Sequence, residues 1–314
     1  MSIKYVMESY ELLDSPSASG EAVRNALIEV GCEARTIEVR TVEGPKGHTD
    51  FVKVWFHGKK GKHGGGTAPT LGIVGRLGGV GARPEKVGLV SDADGAVAAV
   101  AVAMKLGRMA KLGDVLDGDV FVSTHICPDA PTRPHDPVPF MDSPINMQIA
   151  NAEEMNPDLD AVLSIDTTRG NRVVNHRGFA ISPTVKEGYI LRVSEDLLDV
   201  MSYVTGRMPQ VFPITTQDIT PYGNELYHLN SILQPCTATR APVVGVALTA
   251  ETAVPGCATG ASQVSDIEST VRFVIEVGKV FGEGKLRFYD PEEFERILGL
   301  YGPMHHLQTL GRKI

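Results

Sequence analysis

Four apolar runs constrain the fold of this chain most: TLGIVG at 70–75, GDVFVSTHI at 118–126, DAVLSID at 160–166 and APVVGVALT at 241–249. They read as strands buried on both faces. Between them lie segments of helical period. Residues 95–112, with AVAAVAVAM at 96–104, predict one helix, and 144–155 another. SASGEAVRNALIEVGC at 17–32 predicts a helix with Ser19 as N-cap, Glu21 in its first turn and Gly31 at its end. RVSEDLLDVMSYVTG predicts a helix capped by Ser194; GNELYHLNSILQ, VSDIESTVRFVIEVGKVFG and DPEEFERILGLYG predict three more. ARTIEVRTV and DFVKVWFHG alternate as half-buried strands do, and PQVFPITTQ reads as a further strand. Strands alternate with helices, so the expected fold is α/β: three layers, with a mostly parallel mixed sheet covered on both faces. No repeat or linker divides the chain. The expectation is a single domain over 1–314, with no separate lid or dimerisation domain.

Composition narrows the function. The chain has 314 residues, 42% hydrophobic and 22% charged, with net charge −8. No long basic run exists, so nucleic acid and anionic membranes are not expected partners. The most basic stretch, GKKGKHGGG at 58–66, reads as a mobile loop tip and lacks the order of a phosphate-binding loop. The amino-terminal segment carries Lys and Glu among its apolar residues, unlike a signal peptide, and AVAAVAVAM is too short to span a bilayer. Cys32, Cys127, Cys236 and Cys257 form no C-x-x-C pair, which suits a reduced, cytoplasmic protein.

In such sheets ligands bind beyond the carboxyl ends of the strands. Three acids fall there: Asp92 in LVSDADG, Asp129 just past VFVSTHI, and Asp166 at the end of AVLSID. Converging carboxylates repel, and a divalent cation relieves that repulsion. Each acid also has a local use. Asp92 is a good N-cap for helix 95–112, Asp129 a solvated loop acid, and Asp166 a turn former before Thr167 and Thr168. Asp94 is expected to face solvent and only complement the helix dipole.

The order of these segments resembles the co-catalytic zinc aminopeptidase and carboxypeptidase superfamily. SASGEAVRNAL, DFVKVWFHG, SDADGAVAAV, VFVSTHICPDA, AVLSIDTT and APVVGVAL follow that group's segments in order from about residue 12 to 280. The resemblance implies a three-layer phosphorylase/hydrolase-like fold and a two-zinc site. In it Asp92 would bridge the metals and Asp166 would bind one. Arg76 stands where the family has a His, and Gly78 where it has an Asp. Pro128 and Asp129 replace a Glu-Glu pair, so Asp129 can ligate but the general base is missing. No His follows AVPGCATGAS, where only Cys257 offers a soft ligand. Over nearly the full length, GRLGGVGARPE, STHICPDAPTRPHDPVPFM, SIDTTRGN, ISPTVKEGYI and TTQDITPYGN resemble a bacterial family known as a domain of unknown function, number 1177 in that series.

Oxygen ligation by Asp92, Asp129 and Asp166 suits Mg²⁺ or Mn²⁺ better than Zn²⁺. His125, His135, His176 and His228 are candidate nitrogen donors. His125, late in a strand, reads first as a satisfied core residue. His135 sits in a loop stiffened by Pro128, Pro131, Pro134, Pro137, Pro139 and Pro144, and is the leading substitute ligand or base. Arg76 can replace one metal by pairing with Asp92 or Asp166, or grip a substrate carboxylate. Arg83 reads more simply as a solvated loop residue. Gln217, Asp218, Asn224 and His228 are placed to bind substrate or to form turns and a cap. Three functions follow. The first is a metal-dependent hydrolase of an amide or peptide-like small molecule. The second is a non-catalytic binding protein in which Arg76 stands in for metal. The third is an amidohydrolase with Cys127 or Cys257 as nucleophile and His125 or His135 as base. The expected partner is a small molecule or short peptide, and relatives of this fold suggest a homo-oligomer.

Overall fold

The four apolar runs lie side by side in one sheet. A computed structural model describes residues 1–76, 89, 93–127, 130–134, 140–168, 170–213, 231–252 and 262–308. Its central strands are β3 (Leu71–Gly75), β4 (Val120–Ile126), β7 (Ala161–Thr167) and β11 (Val243–Thr249). They run parallel in the order β4-β3-β7-β11. The hairpin β1 (Ile37–Gly44) and β2 (Gly47–Phe56) extends the β4 edge antiparallel. Beyond β11 the short strands β8 (Gly178–Ile181), β9 (Val185–Lys186) and β10 (Tyr189–Ile190) complete the sheet antiparallel. Within the proline-rich loop, β5 (Thr132–Arg133) and β6 (Phe140–Met141) form a separate two-stranded ribbon. This ribbon lies outside the main sheet.

One face is covered by α1 (Ile3–Asp14), α2 (Gly20–Val30), α3 (Asp94–Lys111), α5 (Glu195–Thr205) and α6 (Val264–Gly282). The other carries α4 (Met147–Glu154) and a 3₁₀ helix, Ser231–Thr237. The last α-helix, α7 (Pro291–Tyr301), follows. The result is the three-layer α/β/α fold with a mixed sheet. Local caps fix the helix starts. Ser19 accepts from the Ala22 N–H (3.2 Å), Ser194 from the Leu197 N–H (3.2 Å), and Asp290 from the Glu292 and Glu293 N–H groups. No helix among the described residues is long and apolar enough to cross a membrane.

Several expectations are corrected. Residues 209–213 of PQVFPITTQ hold only an isolated bridge, from Val211 to Ile181. The described part of GNELYHLNSILQ is helical, as expected, in the 3₁₀ form. α3 starts at Asp94 with Ala93 in the N-cap position and no side-chain cap bond, while Asp92, the expected cap, lies outside the described residues. Asp94 is fully buried and accepts a short hydrogen bond from the Ser262 hydroxyl, ahead of α6. The reason is α3 itself, which is buried continuously from Asp94 to Met104. A helix apolar all round goes inside, and takes its first-turn acid with it. The loop at 58–66 is anchored: buried Asp119 accepts from the Gly58 N–H (2.8 Å) and the His63 N–H (3.1 Å).

Two glycines bring α3 onto the sheet. A Cβ on Gly75 would lie 2.3 Å from the Gly95 carbonyl oxygen. A Cβ on Gly95 would lie 2.5 Å from the carbonyl oxygens of Arg76 and Ile165. Gly95→Ala is therefore expected to lower stability by about 2 kcal/mol, an overpacking effect. It should do so although Ala is intrinsically the better helix former by about 1 kcal/mol. A urea midpoint equal to or above wild type would contradict this contact.

Candidate active site at the carboxyl ends of the central strands

The parallel register determines which side chains meet. Gly75 of β3 pairs with Ile165 of β7, and the Arg76 N–H donates to the Ile165 carbonyl (2.8 Å). One step on, Arg76 and Asp166 leave neighbouring strands on the same face, away from α3. His125 of β4 occupies the corresponding step on the other side of β3, since Thr124 pairs with Gly75. All three are buried.

Asp166 is 2% exposed. Its Oδ1 accepts from the Thr167 N–H (2.7 Å), and its Oδ2 accepts a long hydrogen bond from the Ser231 hydroxyl (3.5 Å). Ser231 opens the 3₁₀ helix that lies over β7 and β11. The carboxylate is thus fixed at a strand end beneath that helix.

Arg76 is 1% exposed. Its Nη1 donates to Glu154 Oε2 (2.7 Å) and to Asn151 Oδ1 (2.8 Å). Both partners are buried on α4, three residues apart and so on one helix face. Arg76 Nε and Glu154 Oε1 have no hydrogen-bond partner. Burial raises the Glu154 pKa, with the Arg76 charge acting against it. Arg76 was expected to pair with Asp92 or Asp166; among the described residues the carboxylate it contacts is Glu154. Neither α4 partner was singled out in the sequence. The available signal was Arg76 itself: an arginine ending a buried strand requires a carboxylate, and the polar helix 147–154 carries the Glu153–Glu154 pair.

His125 is a core histidine, as its strand position suggested. Its ring stacks on Phe51 with centroids 5.3 Å apart. The Thr49 hydroxyl donates to the Ile126 carbonyl (3.1 Å) and meets His125 Nδ1 at 3.0 Å, so it accepts there and the ring proton sits on Nδ1. Burial, then the Arg76 charge, lowers the His125 pKa to about 4. Such an imidazole is a poor base for a thiol. Cys127 is 2% exposed, with Sγ donating to the His48 carbonyl (3.5 Å). Cys236 is also buried, which pushes its pKa up to about 12. These are core thiols. His176 lies beside the end of β11, where the Thr249 hydroxyl donates to its carbonyl; its Nε2 is buried without a partner.

Asp92, Asp129, His135, Arg83, Gln217, Asp218, Asn224, His228 and Cys257 lie outside the described residues. Asp166 is therefore the described member of the three-carboxylate set. Among the described residues no group of three or more His, Cys, Asp or Glu side chains could hold a metal.

Comparison with known proteins supports the fold. The sequence profile of a family described as protein of unknown function, DUF1177, matches residues 40–311. No curated protein matches by sequence. Three solved structures are similar. The bottromycin maturation enzyme BotP in complex with Mn has TM-score 0.50 and 14% identity, covering 88% of this chain and 71% of that one. The cytosol aminopeptidase from Coxiella burnetii has TM-score 0.50 and 14% identity, covering 89% and 68%. An Acidobacteriales bacterium glutaminyl cyclase has TM-score 0.51 and 10% identity, covering 90% and 94%. At these identities the likeness establishes the metallopeptidase-like fold.

The buried His125 has a pH consequence. Its folded pKa lies below its unfolded value near 6.5, so the unfolded chain takes up the proton first as pH falls. Stability is thus lost as pH drops below about 6.5, and the loss is complete near 4. His125 should contribute about 3 kcal/mol to that loss. Denaturation of wild type and His125→Gln across this window should show a shallower slope in the variant. Parallel slopes would show that His125 does not carry the effect.

Proposed function

We propose that this chain, which belongs to the DUF1177 family of proteins of unknown function, is a hydrolase of amide bonds in a small molecule or short peptide. It would act through a divalent cation held at the carboxyl end of β7. One observation carries the reading: Asp166 is a buried carboxylate at the end of a central parallel strand, while the neighbouring guanidinium of Arg76 is held by Glu154 and Asn151. An acid thus stands at the strand end proposed for the cation, and Arg76 is tied elsewhere. The similarity to BotP with Mn and to an aminopeptidase supports the same reaction class by analogy of fold.

Asp166 fits a hard divalent ion. It offers carboxylate oxygen, and its bond from Ser231 is long enough to yield to a ligand. Asp92 and Asp129 would supply the other carboxylates, His135 the base that Pro128 cannot provide, and His176 a nitrogen donor. Gln217, Asn224, His228 and Arg83 would line the substrate side. When bound, the cation would polarise the scissile carbonyl and acidify a water. The Thr167 N–H holds the Asp166 carboxylate in its orientation. Two other readings recede. Replacement of metal by an Arg76–Asp166 pair is disfavoured by the Arg76–Glu154 pair, and Cys127 chemistry by the low basicity of His125.

Protein purified without chelator should contain Mn or Zn. Saturation to about a hundredfold above Kd should raise its thermal midpoint by roughly 5 °C. Asp166→Asn should lack the metal and the shift. In chelator its midpoint should equal or exceed that of wild type, because a carboxylate repelled by its neighbours is gone. Wild type that holds no divalent ion and ignores chelator would overturn the reading.

A further inference from the structure

Arg76 follows β3 directly and is 1% exposed. Among the described residues both of its side-chain bonds leave from one nitrogen, Nη1, to Glu154 Oε2 (2.7 Å) and Asn151 Oδ1 (2.8 Å). Nε, on the other edge of the guanidinium, is buried with no hydrogen-bond partner. That edge, Nε with Nη2, carries two parallel N–H donors and matches a carboxylate in a two-pronged bond. An ion pair that served the fold alone would use it, because a buried charged donor left unbonded is costly. Here α4 holds the guanidinium from the Nη1 side.

Glu154 compensates the charge weakly. Its Oε1 is buried without a partner, and burial raises its pKa against the pull of Arg76, which favours the neutral acid. A buried guanidinium facing a carboxyl that holds its proton calls for a further anion. One guanidinium matches one negative charge, and the imidazole that feels it, His125, stays neutral. The fit is to a carboxylate rather than to a doubly charged phosphate.

We infer that Arg76 anchors the carboxylate of a small ligand through its Nε–Nη2 edge, while Glu154 and Asn151 hold Nη1. The ligand class is a small amide or short peptide with a free carboxylate. Only the naming of this ligand as substrate rests on the hydrolase reading. On that reading the amide cleaved is that of an acylated amino acid or a carboxyl-terminal residue. Glu154 orients Arg76 and competes with the ligand for it.

The test is calorimetric titration of the full chain, supplied with Mn²⁺, with N-acetylglycine and with its neutral amide, N-acetylglycinamide. Wild type should bind the acid about tenfold or more tightly than the amide. Glu154→Gln removes the competing carboxylate and should bind the acid at least as tightly as wild type. Arg76→Met/Glu154→Gln leaves no member of the pair charged and should bind both probes equally. Arg76→Lys keeps the charge without the fork and should lose most of the preference; it decides if the other variants do not fold. Wild type that binds neither probe, or both equally, overturns the inference. A variant without the guanidinium that keeps the preference overturns it as well, since the metal or another cation would then hold the acid. So does a folded Glu154→Gln that loses the preference. Each of these results leaves the hydrolase reading standing. A wild type that takes up no Mn²⁺ yet prefers the acid overturns the hydrolase reading and leaves the carboxylate anchor.

Discussion

The backbone contact between Gly75 and Gly95 sets the geometry on which the site depends. Each lies where the other's Cβ would collide with main chain. That approach seats the amino terminus of α3 over the ends of β3 and β7. The side of β3 facing α3 is thereby filled at Gly75, and the next residue, Arg76, turns to the opposite face. There it joins Asp166 and His125 under α4 and the 3₁₀ helix Ser231–Thr237. A small residue on one face thus aligns three ionisable groups on the other.

The charge balance of that layer follows. His125 stays neutral because burial and the nearby guanidinium both disfavour its protonated form. Arg76 is paid for by Glu154, whose second oxygen has no partner. Asp166 draws hydrogen bonds from Thr167 and Ser231. Among the described residues, Arg76 donates to Glu154 and Asn151.

Much of the fold was legible because its determinants are local. The buried strands announce themselves as apolar runs, and Ser19, Ser194 and Asp290 cap helices through their own neighbours. What was missed depends on tertiary partners. α1 has Ser2 at its N-cap with no side-chain cap bond to mark it. β8, β9 and β10 span four residues or fewer and exist through pairing at the far edge of the sheet. In the site, Asp166 and Arg76 were legible as strand-end residues. Asn151 and Glu154 were not: they lie 75 and 78 residues from Arg76 on a short polar helix. Asp94 was misplaced because a first-turn acid usually faces water, and here the whole helix is inside.

The proposed cation site at the carboxyl end of β7 includes Asp166, while Arg76 is held by Glu154 and Asn151. A crystal structure of the full chain grown with Mn²⁺, with anomalous data collected at the manganese edge, tests it most directly. The account predicts an anomalous peak in coordination contact with the Asp166 carboxylate, while Arg76 keeps its bonds to Glu154 and Asn151. Arg76 bonded to Asp166, with no manganese at the end of β7, would contradict it.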